Sequence, residues 1–229
     1  MDLYQYYSHP EQLNRYAEAD DIVPSRIYAK ANSGAQLTPK QINSLAKDAK
    51  YAYEYAYNVL KGPWPKGEDA ISNNAEYAYL YARDILKSPF PKGENAIATD
   101  SYYACDYARN ILNSPFPKGE NAIAKDAWDA YNYAYQVLKR PFPKGEDAIA
   151  KVAEYAYGYA RSVIKRPFPK GEDTISKDEW QAYKYACNVL KGPWPKGENA
   201  IAKDTYYAYR YAQYVLKLPE EQAKQWSSK

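Results

Sequence analysis

The chain has 229 residues, and its 31 basic against 28 acidic side chains leave a formal charge of +3, too even a balance for the strong basic field of a general nucleic-acid coat. Hydrophobic content of 46% is ordinary, but 28 tyrosines are not, and every buried one brings a hydroxyl that needs a partner. Two cysteines, Cys105 and Cys187, give neither a disulfide framework nor a CxxC metal spacing, no apolar run has the length of a membrane span, and the opening MDLYQYYSHPEQLNRYAEADD lacks the basic-then-apolar order of a secretion signal. A reducing, cytoplasmic setting without membrane insertion is expected.

Residues 1–44 follow no period and read as an N-terminal helical cap. Within them Thr38 before Pro39 makes an N-cap and N1 pair. His9, the single histidine, stands in a loop-like segment, so no Ser-His-Asp triad, Cys-His pair or histidine metal site can be assembled around it. From Leu45 the chain is periodic. Pro-Lys-Gly-Glu recurs with its proline at Pro65, Pro91, Pro117, Pro143, Pro169 and Pro195, each 26 residues after the last. Units begin at Leu45, Ile71, Ile97, Ile123, Ile149, Ile175 and Ile201, and the pattern stops at Pro219. A fixed period without insertions means stacked supersecondary units. The expectation is an all-α fold, an α-solenoid of about seven 26-residue repeats over 45–219, with a polar C-terminal cap over 220–229 in which Trp226 covers the last core edge.

Counting each unit from its Ile or Leu, place 4 is Asp48, Asn74, Asp100, Asp126, Asp178 and Asp204, with Val152 the one misfit. Asp or Asn ahead of an apolar-periodic stretch is an N-cap signal. A helix should start there and run for about 13 residues, roughly 20 Å. It should end at the lysines Lys61, Lys87, Lys139, Lys165, Lys191 and Lys217, which suit the negative end of the helix dipole. Places 8 and 12 are alanine in every copy and place 11 is always tyrosine (Tyr55, Tyr81, Tyr107, Tyr133, Tyr159, Tyr185, Tyr211). The alanines allow close helix approach, the tyrosine fills the space beside them with its hydroxyl on a neighbouring unit's backbone, and the aliphatic places 15 and 16 complete the core. The Pro-Phe-Pro or Pro-Trp-Pro linker is stiff and plugs its aromatic between units. Its glycine suits a positive-φ turn, and the following Glu opens a short second helix.

Glutamates and lysines of the Pro-Lys-Gly-Glu runs recur identically, which fits capping or inter-unit ion pairing better than catalysis. No phosphate-loop or GxGxxG spacing is present. The units differ at places 3, 6, 10 and 13, on the helix face opposite the alanines. Place 6 holds Tyr102, Trp128, Trp180 and Tyr206, and place 13 holds Tyr57, Arg83, Arg109, Tyr135 and Arg161. Tyr, Trp and Arg are the residues of binding hot spots, so these nine are the candidate partner-binding residues. The competing reading for Trp128 and Trp180 is packing: each stands where place 7 loses its tyrosine, to Asp129 and Gln181, so that the aromatic has moved one position onto the same neighbour.

The repeated string Phe-Pro-x-Gly-Glu-x-x-Ile-Ala-x-x-x-x-Tyr-Ala-Tyr-x-Tyr-Ala-x-x-Val-Leu-Lys resembles tandem repeats of uncharacterised bacteriophage and giant-virus proteins, over Leu45 to about Pro219. The resemblance implies a viral protein working in the host cytoplasm against a host or defence component, and brings no site residues with it. The expected function is a non-enzymatic scaffold, without cofactor or metal, that binds a protein. Single-stranded nucleic-acid or nucleotide binding, through stacked tyrosines and the lysine row, is the alternative, and self-association stays open.

Overall fold

The structure, a computed structural model, describes residues 22–228, so His9 lies outside the described residues. The fold is all-α, a helical repeat solenoid, with no strand among the described residues. The chain divides into two compact bodies between Thr99 and Asp100.

The described part of the first body opens with helices Pro24–Asn32 and Pro39–Leu45. Thr38 caps the second of these in a reciprocal capping box with Gln41. The next six units have the same two parts. A long helix begins at the place-4 cap, as at Ala49–Glu54, and continues as a wider π-helical turn, here Tyr55–Leu60. The linker leads to a short helix, Pro65–Gly67 running into Glu68–Ile71. In the second body the pattern repeats to Thr205–Tyr214, and Glu220–Ser227 closes the chain.

The caps form as the side chains dictate. Asp48, Asn74, Asp100 and Asp178 each accept the backbone N–H three residues on, at 3.0, 3.1, 3.1 and 2.7 Å. Asp126 and Asp204 accept two N–H groups each. Val152 occupies the same extended backbone with no side-chain bond.

Two details of the chain path differ from expectation. Positive φ falls on the helix-ending residues Lys61, Lys87, Asn113, Lys139, Lys165, Lys191 and Lys217, at 50° to 60°. The linker glycines do not adopt it; Gly67, for example, has φ −89°. Glycine is required there by crowding. A Cβ on Gly145 would lie 2.6 Å from the Phe142 ring and 2.7 Å from the Ala130 Cβ, and Gly67, Gly93, Gly119, Gly171 and Gly197 are equally confined. The second difference is in the core. Places 15 and 16 lie on the last turn and are half-buried, with Leu60 exposed. The core volume comes instead from the unit-opening Leu45, Ile71, Ile97, Ile123, Ile149, Ile175 and Ile201, the alanine pairs and the linker aromatics.

The place-11 tyrosine ties successive units together. From Tyr81 onward its side chain is fully buried. Tyr159 Oη accepts the Phe142 backbone N–H at 2.9 Å and donates to Glu146 Oε1 at 3.0 Å. Tyr81, Tyr133, Tyr185 and Tyr211 make the same two bonds, to Trp64 and Glu68, Phe116 and Glu120, Phe168 and Glu172, Trp194 and Glu198. Both hydrogen-bonding capacities of a buried phenol are thereby met, which removes a cost of about 1–3 kcal/mol per unpaired group. Each ring also meets its own unit's linker aromatic, as Tyr133 meets Phe142 with centroids 5.2 Å apart. In the last unit Trp226 takes that part, 5.4 Å from Tyr211.

Candidate functional site

Place 6 is exposed in every unit, and in the second body it presents an aromatic ring in four units and Glu154 in the fifth. Tyr102, Trp128, Trp180 and Tyr206 are 53%, 51%, 41% and 60% accessible, far more than an aromatic side chain keeps when it serves only as core. Their helices adjoin in sequence, each long helix against the next. The rings are nevertheless held. Tyr102 lies edge-on to Tyr103 at 5.2 Å, Trp128 rests on Tyr155 at 5.4 Å, Trp180 stacks on Tyr207 at 4.8 Å, and Tyr206 lies edge-on to Tyr207 at 5.4 Å.

These contacts correct the packing account of the two tryptophans. A regular place-7 tyrosine leans on the preceding unit, as Tyr77 does on Tyr53 at 5.9 Å. Trp128 and Trp180 lean on the following unit instead, through Tyr155 and Tyr207. They do not replace the missing contact, and Asp129 and Gln181 at the vacated places are themselves buried. Burial pushes the Asp129 carboxyl above the ordinary carboxylate range, against a hydrogen bond from Ser101.

At place 13, Tyr57 stacks on Tyr53 at 5.8 Å and Tyr135 on Tyr131 at 5.8 Å, both rings about half exposed. The arginines have three different environments. Arg83 is held bidentately by Asp84, through Nε at 2.6 Å and Nη2 at 2.8 Å. Burial pushes the Asp84 carboxyl up, but the bonds from Arg83 and Tyr53 outweigh it and hold the group below its usual range. Arg109 pairs with Asp106 and reaches Gln136 at 3.3 Å. Arg161 bonds the Tyr157 hydroxyl at 3.1 Å.

Place 10 is not part of the open face. Asp106 and Asn132 are buried, and Glu54, Leu80, Gly158, Lys184 and Arg210 are half-buried, because this place faces the seam between units. Sequence comparison also overlooked the place-9 tyrosines. Tyr53 donates to Asp84 at 2.8 Å, and Tyr157 accepts from Asn188 at 2.9 Å. The signal available was that place 14 of the next unit supplies the polar partner each time.

Four lysines of the row are paired. Lys92 pairs with Asp69 at 2.6 Å, Lys144 with Glu120 at 3.0 Å, Lys170 with Asp147 at 2.8 Å and Lys196 with Asp173 at 2.6 Å. Both cysteines are free; burial pushes the Cys105 thiol up to about 12, away from nucleophilic use. Among the described residues no cluster of three metal-ligating side chains occurs, and no helix is long and apolar enough to cross a membrane. Comparison with protein-family models, with curated proteins and with solved structures gives no match.

Proposed function

We propose that the chain is a non-enzymatic repeat scaffold that binds a protein through the aromatic row of its second body. One observation carries this reading: Tyr102, Trp128, Trp180 and Tyr206 stand at one place of the repeat, half or more exposed except for Trp180, and each is braced by a second aromatic ring. Large rings already ordered before contact offer area at little entropic cost, which is the character of hot-spot residues. Arg161, which has no ion-pair partner among the described residues, flanks the row as a directional donor. The resemblance to bacteriophage and giant-virus repeats makes a host or defence protein the partner class, with inhibition as the outcome. Binding of single-stranded nucleic acid through the lysine row is less well supported, since the paired lysines spend their charge on neighbouring units' acids.

The test is capture from host lysate by the intact chain and by a Tyr102→Ala, Trp180→Ala, Tyr206→Ala variant, each with and without nuclease. The expected result is one protein held stoichiometrically by the parent chain, insensitive to nuclease and lost from the variant. Equal capture by both chains rejects the row as the interface, and loss on nuclease treatment transfers the reading to nucleic acid.

A further inference from the structure

In the second body a cavity of about 220 Å³ opens beside Arg161. Its composition follows from how one unit departs from the others. The carboxylates that hold the other two arginines come from place 14, Asp84, and place 10, Asp106. In the unit of Arg161 these places are Ser162 and Gly158. Arg161 consequently has no carboxylate at ion-pair distance among the described residues, and its bond is to the neutral Tyr157 hydroxyl.

Lys184 lines the same cavity and also lacks an acidic partner at that distance. It lies over the rings of Trp180 and Tyr157, 4.5 and 4.7 Å from their centroids. Burial lowers its pKa, with Glu154 and Asp178 acting against that at longer range. Trp128 and Tyr155 form an aromatic wall, and Glu154 adds one acceptor. Gly158 completes the shape: a Cβ there would come within 3.1 Å of the Tyr131 ring, so any side chain would crowd the wall. On the other side of Arg161 a second hollow of about 290 Å³ carries Lys165 and Lys191, and Asn188 stands where the first body has Asp84. Arg161 thus stands between two hollows, with Lys184 in one and Lys165 and Lys191 in the other, beside places that supply Asp84 and Asp106 in other units.

We propose that this cavity binds a mononucleotide-class ligand, with its flat ring against Trp128 and Tyr155 and its phosphate between Arg161 and Lys184. Two cations without a carboxylate at ion-pair distance suit a phosphate dianion, which gains charge-assisted bonds without breaking an existing ion pair. The aromatic wall suits any base by stacking, and the Glu154 carboxylate accepts from a ring amino group. Trp128 and Arg161 belong both to this cavity and to the proposed protein-binding row, and the two readings are told apart by Tyr102 and Tyr206, which lie outside the cavity.

Calorimetric titration of the full chain with AMP, GMP, CMP and UMP tests it, with adenosine, inorganic phosphate and phosphotyrosine as comparison probes. At least one mononucleotide should saturate in the millimolar range or below and bind about tenfold more tightly than adenosine or phosphate alone, a difference of about 1.4 kcal/mol. Ser162→Asp restores the acid that follows Arg83 and should weaken binding about tenfold by capturing Arg161 internally. Arg161→Ala should do the same by removing the cation, with thermal melting recorded to show that both variants fold. No saturation by any mononucleotide overturns the proposal, as does binding unchanged in both folded variants. Equal affinity for bare phosphate overturns the role of the ring, and tighter binding of phosphotyrosine overturns the ligand class.

Discussion

Gly145 and Gly192 show how differently one residue type is used within the repeat. Gly145 touches the Phe142 ring and the Ala130 methyl so closely that an added Cβ would stand 2.6 and 2.7 Å from them, whereas nothing lies within 4 Å of a Cβ on Gly192. Neither glycine has positive φ, so backbone strain plays no part in the difference. Gly145→Ala should lower stability by about 1–3 kcal/mol through overpacking of a filled core. Gly192→Ala should be neutral or stabilising by about 0.4–1 kcal/mol, since it restricts only the unfolded chain. Paired urea melts decide this, and equal effects of the two substitutions would place the glycine requirement outside packing.

At the scale of the element, each long helix depends on its first residue and on an unusual ending. Six place-4 side chains cap their helices and Val152, an exposed side chain in the same extended conformation, does not. Val152→Asp should therefore raise stability by about 1 kcal/mol, visible as a higher thermal midpoint at neutral pH and fading as the new carboxylate is protonated in acid. At the other end the N–H groups of Lys61 and Gly62 both reach back to the Ala56 carbonyl, widening the last turn beyond α-helical closure. The wide turn recurs in six successive units, which marks it as part of the scaffold rather than of a single site. The same logic separates the arginines. Arg83 and Arg109 belong to their own unit's electrostatics, while Arg161 is available to a ligand because its neighbours along the helix changed.

For the whole molecule the buried tyrosines set the alkaline limit. Burial, with a nearby glutamate and against the backbone N–H bond, pushes the phenols of Tyr81, Tyr133 and Tyr159 up to about 12, while Tyr185 and Tyr211 are raised further. The folded chain then holds protons that the unfolded chain releases near pH 10. Stability is complete below that pH and falls as pH rises toward 12, by on the order of 2 kcal/mol for each of the three phenols. Alkaline titration followed together by phenolate absorbance and helical circular dichroism should show a late, cooperative ionisation coincident with loss of helix. Tyr159→Phe should start from lower stability at neutral pH, having unpaired the Phe142 N–H, and lose less of it on the way up. Phenol ionisation of these residues without helix loss would contradict the buried ladder.

Much of this architecture could be read from the chain before any coordinates. A 26-residue period, Asp or Asn caps, an unbroken alanine stripe and stiff proline linkers are local or strictly repeated features, and local sterics and hydrogen bonding are enough to interpret them. The exposed place-6 aromatics were also legible, since their position relative to the alanines follows from helix geometry alone. What the tertiary structure decided is the pairing across units. Whether a glycine serves a turn or a contact depends on a ring and a methyl brought against it by the neighbouring helix, and whether a tryptophan leans backward or forward depends on a tyrosine of the next unit meeting it in space. Place 10 turned from surface into seam for the same reason. A single helix cannot show which of its polar faces the next helix covers, and that covering left Arg161 and Lys184 together beside an aromatic wall.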